Sequence, residues 1–407
     1  MSKSFFTPAA WQGDKNTSAP RLPECGRCGL YKAGCLSPKM PPTGDGNRSV
    51  LFVAEAPGER EDRKGVQLVG KSGKLVREVL KSMPRKIRMR LEDGYKTNAV
   101  ICRPPKNKIE DLYINSCRPN LLKTVRDTKP TVIILLGGSA VKGLLPTERE
   151  ADVGAISRWV GWTIPSHEHG AWICPTYHPA YLLRMKDRVL DRLFRKHLRR
   201  ALELENVPIL SEPLEALKKR VEVILRPSEA RSRLHDLSKK RGVLAFDYEA
   251  NRLKPDDSRC KIVACSFCLD GEDTFAFPVT EELYPDISRV LKNPKLLKVA
   301  SNLKNEERWT RAKLGHRVES WYWDTMLAAH FLDNRGGISS LKFQAFVQFG
   351  ISDYDRVVAP YFERTDKDGF NAVEEIPQEE LLIYNGLDSL LEYKLMKVQR
   401  KAAGFKS

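Results

Sequence analysis

The chain has 407 residues, with 69 Lys and Arg against 52 Asp and Glu and a formal charge of +17, which excludes a minimal single-core module and favours a polyanionic partner. No stretch approaches the ~20 consecutive apolar residues that a bilayer crossing needs, and the N-terminus shows no basic-then-apolar leader pattern, so a soluble, cytoplasmic protein without membrane association is expected. Nine cysteines in such a setting argue for metal ligation or buried thiols over disulfides.

Residues 1–20, rich in Ser, Thr, Ala, Pro and Lys, read as a poorly ordered tail. A tight pair, Cys25 and Cys28, precedes a loop of turn formers from Ser37 to Gly46. Four strands are then expected, at Ser49 to Ala54, Tyr95 to Ile101, Thr131 to Leu136 and Ala171 to Cys174. Helical segments separate and follow them, over Gly73 to Ser82, Ile109 to Thr128 and Ala180 to Leu204. Alternating strands and helices predict a parallel sheet in a three-layer α/β/α packing over residues 21–205. Each strand runs into a turn of unusual residues, the place where open α/β sheets bind ligands. Those turns are Glu55-Ala-Pro-Gly58, Cys102-Arg-Pro-Pro105, Gly137-Gly-Ser139 and Thr176-Tyr-His-Pro179.

Residues 206–222 are charged and Pro-punctuated, and read as a linker. A second α/β domain is expected over 223–407, with strands at Val243 to Phe246, Ile262 to Phe267 and Thr274 to Phe277. The first of these ends in Asp247-Tyr-Glu249, whose two carboxylates fall on one face of a strand and suit a divalent cation. Far downstream, Tyr384 and Asp388 are four apart, hence on one face of a helix. Cys265 and Cys268 fall in a strand whose alternation points them to opposite sides, so they are expected as core residues and not ligands. Asp324 is expected to cap a helix.

The second half resembles the DEDD-type 3′-5′ exonucleases, in the Tyr-containing subclass that proofreads for family A DNA polymerases. Asp247-Tyr-Glu249, Asn302-Leu-Lys-Asn-Glu306, Trp323-Asp324 and Tyr384-Asn-Gly-Leu-Asp388 carry the likeness, in order. It implies a ribonuclease H-like fold in which Asp247, Glu249, Glu306 and Asp388 hold two Mg²⁺ or Mn²⁺ ions and Tyr384 orients the attacking water. Where that family has an aromatic residue and Asp, this chain has Asn305 and Glu306.

The first half resembles the family-four, iron-sulfur uracil-DNA glycosylases. Cys25 and Cys28, Ala54-Glu-Ala-Pro-Gly58 followed by Glu61-Asp62, Gly70-Lys-Ser-Gly73, Thr97-Asn98, Cys102-Arg-Pro-Pro105, Cys117 and Tyr177-His178 through Arg184 carry this likeness. It implies that Cys25, Cys28, Cys102 and Cys117 hold a 4Fe-4S cluster. Spacing alone admits a structural Zn²⁺ on the same four thiolates, or Cys35 in place of Cys28; the surrounding motifs favour iron-sulfur. The likeness further implies that Asn98 binds a flipped-out uracil, His178 donates toward its O2, and Glu55 positions water or stabilises the sugar cation. Ala56, Pro57, Gly58, Leu68, Gly70, Ser72 and Arg184 would line the substrate site. Leu68 stands where the family has a stacking Phe.

Together the halves resemble the front part of certain phage family A polymerases. The implied function is DNA repair or replication on single strands or 3′ ends, in a bacterial or phage-infected cytoplasm, with a separately encoded polymerase as a candidate partner. The alternative is that the first domain only binds DNA and the chain is an exonuclease or polymerase accessory.

Overall fold

The computed structural model describes residues 23–147 and 153–405; the expected N-terminal tail lies outside them. The chain divides into two compact units between Ser211 and Glu212. Among the described residues, no helix is long and apolar enough to cross a membrane.

The first unit is built on five strands, β1 (Val50–Ala54), β2 (Tyr95–Asn98), β3 (Val132–Leu136), β4 (Ile164–Ser166) and β5 (Ala171–Thr176), in the order β2-β1-β3-β5-β4. All neighbours are parallel except β4, which runs antiparallel to β5 at the edge. The unbroken apolar runs of β1 and β3 follow from burial on both faces. Val50, Phe52 and Ala54 pack with Val76 and Val79 of the helix Lys71–Lys81 and with Phe194 and Leu198 of Arg188–Glu203. Leu51 and Val53, facing the other way, are equally buried. Because β1, β2, β3 and β5 are parallel, their C-terminal ends meet along one edge, and the turns after them converge.

The helix expected over Ala180 to Leu204 is two helices, Pro179–Met185 and Arg188–Glu203. Lys186 adopts a left-handed conformation and Asp187 caps the second helix through Val189 and Leu190, which breaks the run.

The second unit holds a mixed sheet of six strands, β6 (Val221–Val223), β7 (Gly242–Ala250), β8 (Ile262–Leu269), β9 (Asp273–Pro278), β10 (Leu296–Ala300) and β11 (Trp321–Asp324), ordered β11-β10-β7-β8-β9-β6. The 25-residue helix Gln378–Ala402 lies across β7, β8 and β9. Alternation along β7 sends Leu244, Phe246 and Tyr248 into one core and Ala245 into the other, beneath that helix. Cys265 and Cys268 likewise go to opposite cores. Asp324 caps the helix Thr325–Leu332, accepting from Leu327 N–H.

The stretch read as a linker is structured over its second half. Leu214–Lys218 is helical and Val221–Val223 pairs parallel with β9. Leu217 and Val221, spaced four apart among charged neighbours, are buried in the core of the second unit.

Candidate functional sites

In the first unit, the edge formed by the strand ends holds a pocket of about 290 Å³, lined by Glu55, Ala56, Pro57, Gly58, Leu68, Ser72, Asn98, His178 and Arg184 among others. Register brings its members together: Ala54 lies opposite Asn98, and Leu136 opposite Thr176. Glu55 Oε1 accepts the Ser139 N–H at 3.2 Å. Gly137 permits this approach, since a Cβ there would sit 2.6 Å from Glu55 Oε1 and 2.9 Å from His178 Cβ, at a φ of +99°.

His178 is the N-cap of the short helix Pro179–Met185, and its Nδ1 accepts the Ala180 N–H at 3.2 Å. Burial pulls the ring below its ordinary pKa, against the pull of Glu55, and Arg184 adds to the depression. The neutral ring therefore carries its proton on Nε2, free to donate. Asn98 is buried and its amide nitrogen finds no hydrogen-bond partner in the protein. A buried donor left open in this way asks for an acceptor from a ligand.

Leu68 is buried and holds a left-handed backbone, φ 55°. Arg77 pins it by donating to the Leu68 carbonyl at 2.8 Å, while its guanidinium also binds Glu92. Gly73 is required beneath, because a Cβ would come within 1.6 Å of the Leu68 oxygen. Gly70 acts from behind the lining: its N–H donates to Glu61 Oε1 at 2.8 Å. Glu61, Pro104, Asn107 and Ile109 also line the pocket. None of these four was singled out for the site from sequence, although Glu61 and Pro104 stand inside or next to the motifs.

Cys25, Cys102 and Cys117 are buried and Cys28 is half-buried. Cys28, Cys102 and Cys117 pack together with Leu30, Val100, Ile101 and Ile114. Burial pushes the Cys102 thiol up to about 12, and Cys35, Cys25 and Cys28 add to it as like charges; Cys117 is raised in the same way. The Lys39 N–H donates to Cys102 Sγ at 3.2 Å. Four thiols gathered from three distant segments into an apolar nest, with a main-chain donor aimed at one sulfur, are a donor set that suits a thiolate-bound metal. Cys35 is also beside the set, with a hydrogen bond to Cys102.

In the second unit, Asp247, Glu249 and Asp388 place one carboxylate oxygen each within 4.8 Å of one another. Burial and then mutual repulsion raise Asp247 and Glu249 well above the ordinary carboxylate range. Burial lifts Asp388 to about 6, against hydrogen bonds from Tyr354 and Tyr384 and the charge of Lys342. Glu306 stands outside this group of three. It is buried, lifted to about 8 by that burial, and accepts from Asn305 Nδ2 at 2.9 Å through Oε1 while its Oε2 has no partner. Such crowded, dry carboxylates are a fit for hard divalent cations.

Three side chains that sequence reasoning passed over complete the site. Asn385 Nδ2 donates to Asp247 Oδ2 at 2.7 Å, and its place between Tyr384 and Asp388 was a usable signal. Tyr354 donates to Asp388 Oδ1 at 2.5 Å and its ring lies against Tyr384. Lys342 lies over the Tyr384 ring and pairs with Asp355 at 2.7 Å. Tyr354 and Lys342 belong to no motif and arrive only through the fold.

Residues 41–204 match the family described as the uracil DNA glycosylase superfamily, and residues 221–397 match one described as 3′-5′ exonuclease. The chain is 31% identical over 184 residues to the type-4 uracil-DNA glycosylase of Saccharolobus solfataricus, which spans 44% of this chain and 82% of that protein. It is likewise 31% identical over 184 residues to the type-4 uracil-DNA glycosylase of Thermotoga maritima, spanning 44% of this chain and 89% of that protein. Among solved structures, Brucella melitensis NrnC aligns with a TM-score of 0.33 at 14% identity, covering 46% of this chain and 81% of that one.

Proposed function

The chain belongs to the uracil-DNA glycosylase superfamily through residues 41–204, with type-4 uracil-DNA glycosylases as relatives, and carries a 3′-5′ exonuclease domain over residues 221–397; from that premise we propose that it both excises uracil from DNA and digests DNA from the 3′ end. The observation that carries the first activity is the pair of donors facing one pocket, His178 Nε2–H and the unpartnered Asn98 amide. Uracil turned out of the stack presents carbonyl acceptors on its edge. Asn98 donates to that edge, and His178 donates toward O2 as negative charge builds there on bond cleavage. Glu55, held by the Ser139 N–H, faces the sugar cation or the water that captures it.

Cys25, Cys28, Cys102 and Cys117 would hold a 4Fe-4S cluster, which ties the N-terminal segment to the strand-end loops. In the second unit, Asp247, Glu249, Asp388 and Glu306 would hold two Mg²⁺ or Mn²⁺ ions. When bound, such ions supply activation of a water and stabilisation of the leaving 3′ oxygen. Tyr384, beside Asp388, orients the water, and Asn385 fixes Asp247. The net charge of +17 supports a nucleic-acid strand as the common substrate, met in the bacterial or phage-infected cytoplasm. The same reading allows a separately encoded polymerase as partner.

The test is one end-labelled single strand with a single uracil, incubated with and without EDTA and then treated with alkali. Cleavage at the uracil in EDTA together with a Mg²⁺-dependent ladder supports both activities. A ladder alone supports the second reading, in which the first unit binds DNA without cutting it; the aliphatic Leu68 at the stacking position favours that reading.

A further inference from the structure

Glu392 lies one helical turn beyond Asp388 on the helix Gln378–Ala402, so the two carboxylates share a face. It is 1% exposed. Its Oε1 accepts the Ser301 N–H at 2.7 Å. Its Oε2 is buried with no hydrogen-bond partner, as is Oε2 of Glu306.

The surroundings offer no protein group to answer these oxygens. Glu392 feels Glu306, Asp388 and Asp324 as like charges and acts in turn on Asp247. Asp324 is already satisfied, taking N–H groups from Asn302 and Leu327 on one oxygen and from Leu303 on the other. The cation that acts on the neighbouring carboxylates, Lys342, is paired with Asp355 and reaches Glu249 and Asp388. Asp247, Glu249, Glu306, Asp388 and Glu392 are five buried or half-buried carboxylates. One divalent cation leaves three of those formal charges unanswered, and two leave one. A proton shared between Glu306 and Glu392 would quiet that pair but would do nothing for the three carboxylates gathered at Asp247.

Building on the two-metal reading of this unit, the structure assigns Glu392 to the metal centre as a fifth carboxylate, the ligand that with Glu306 receives the second divalent cation. Glu306 is one methylene longer than Asp, and Asn305 occupies its Oε1. The free Oε2 then depends on a second carboxylate to complete an oxygen-ligated site. Glu392 supplies it from a helix already fixed by Asp388.

The experiment titrates the full chain with Mn²⁺, counting bound ions by electron paramagnetic resonance, and follows the melting temperature with and without the metal. Glu392→Gln keeps an acceptor for the Ser301 N–H and the volume of the side chain. The wild type is expected to bind two ions. Glu392→Gln should keep one at wild-type affinity, lose affinity for the other by about tenfold or more, and show a smaller metal-induced rise in melting temperature. Two ions bound to the variant at wild-type affinity would overturn the assignment, as would a single ion in the wild type. No Mn²⁺ bound by the wild type would bring down the exonuclease reading itself. Should Glu392→Gln fail to fold, Glu392→Asp, which keeps the charge and shortens the reach, is read by the same outcomes.

Discussion

The Ala180 N–H donates to His178 Nδ1 at 3.2 Å, and this one bond decides which ring nitrogen carries the proton. A neutral ring with its proton on Nε2 donates into the pocket without a counter-charge.

Removing that donor by His178→Ala should lower uracil excision by roughly 10²- to 10³-fold, with the Mg²⁺-dependent ladder unchanged. Burial holds the ring's pKa below the ordinary 6.5. The excision rate should therefore stay level as pH falls through that value and decline only lower, when protonation breaks the Ala180 bond. Single-turnover rates across this range check it, and a break at the ordinary imidazole pKa would contradict the assignment.

Leu68→Phe should raise excision, because base stacking is worth roughly 1–3 kcal/mol. The same change should lower stability by about 1–3 kcal/mol through overpacking, since Leu68 is buried with Val76 and Val79. Gly73→Ala should abolish the gain in the double variant, because a methyl there collides with the Leu68 carbonyl. Excision rates and urea melts of the three variants decide it. No gain from Leu68→Phe favours the DNA-binding reading of the first unit.

Much of this was legible in the sequence because a parallel sheet puts strand ends in one place: Glu55 and His178 each follow a recognisable apolar run, whereas Asn98, which ends the polar strand Tyr95–Asn98 where a strand reaching Ile101 was expected, was marked by its motif. Asp247 and Glu249 were legible from alternation along β7 taken together with the helical spacing of Tyr384 and Asp388. What escaped was set by tertiary approach. Tyr354 and Lys342 have no local pattern that marks them and reach the carboxylates only through tertiary packing, while Glu392, four residues beyond Asp388, had a helical spacing whose meaning only the fold reveals. Leu217 and Val221 were hidden for a similar reason, since two apolar residues among charges give too short a period to separate a packed helix and strand from a connector.

Cys102→Ser and Cys117→Ser should each remove the visible absorbance of thiolate-bound iron and destabilise the first unit. Burial raises both thiols, so without a metal they stay protonated. Metal analysis of anaerobically purified protein should find iron; a single zinc in its place would select the structural-zinc alternative.

Metal-free protein should lose stability as pH rises. The folded state raises Asp388 to about 6 and Glu306 to about 8, so it binds protons that the unfolded chain has released by the ordinary carboxylate range. This contribution is complete below about pH 4 and is lost as pH climbs through the two folded values. In EDTA, the melting temperature of the second unit should fall by several degrees from mildly acidic to mildly alkaline solution. Mg²⁺ should restore it, most at the alkaline end. A melting temperature indifferent to pH in EDTA would remove the charge crowding on which the metal centre rests.

Tyr354→Phe isolates the hydrogen bond that Tyr354 gives to Asp388 Oδ1 at 2.5 Å. That bond favours the ionised carboxylate and opposes the burial that lifts Asp388 to about 6. Without it the pKa rises further, and since cations need the deprotonated form, the pH of half-maximal Mn²⁺ uptake should move upward. Loss of one charged hydrogen bond, worth roughly 1.5–3 kcal/mol, corresponds to a shift of about one to two pH units. Tyr384→Phe should behave differently: Mn²⁺ uptake shifts less, while the digestion rate at saturating metal falls by about tenfold or more because the water loses its orienting phenol. Equal shifts in both variants would assign the two tyrosines the same structural role and remove Tyr384 from the chemistry.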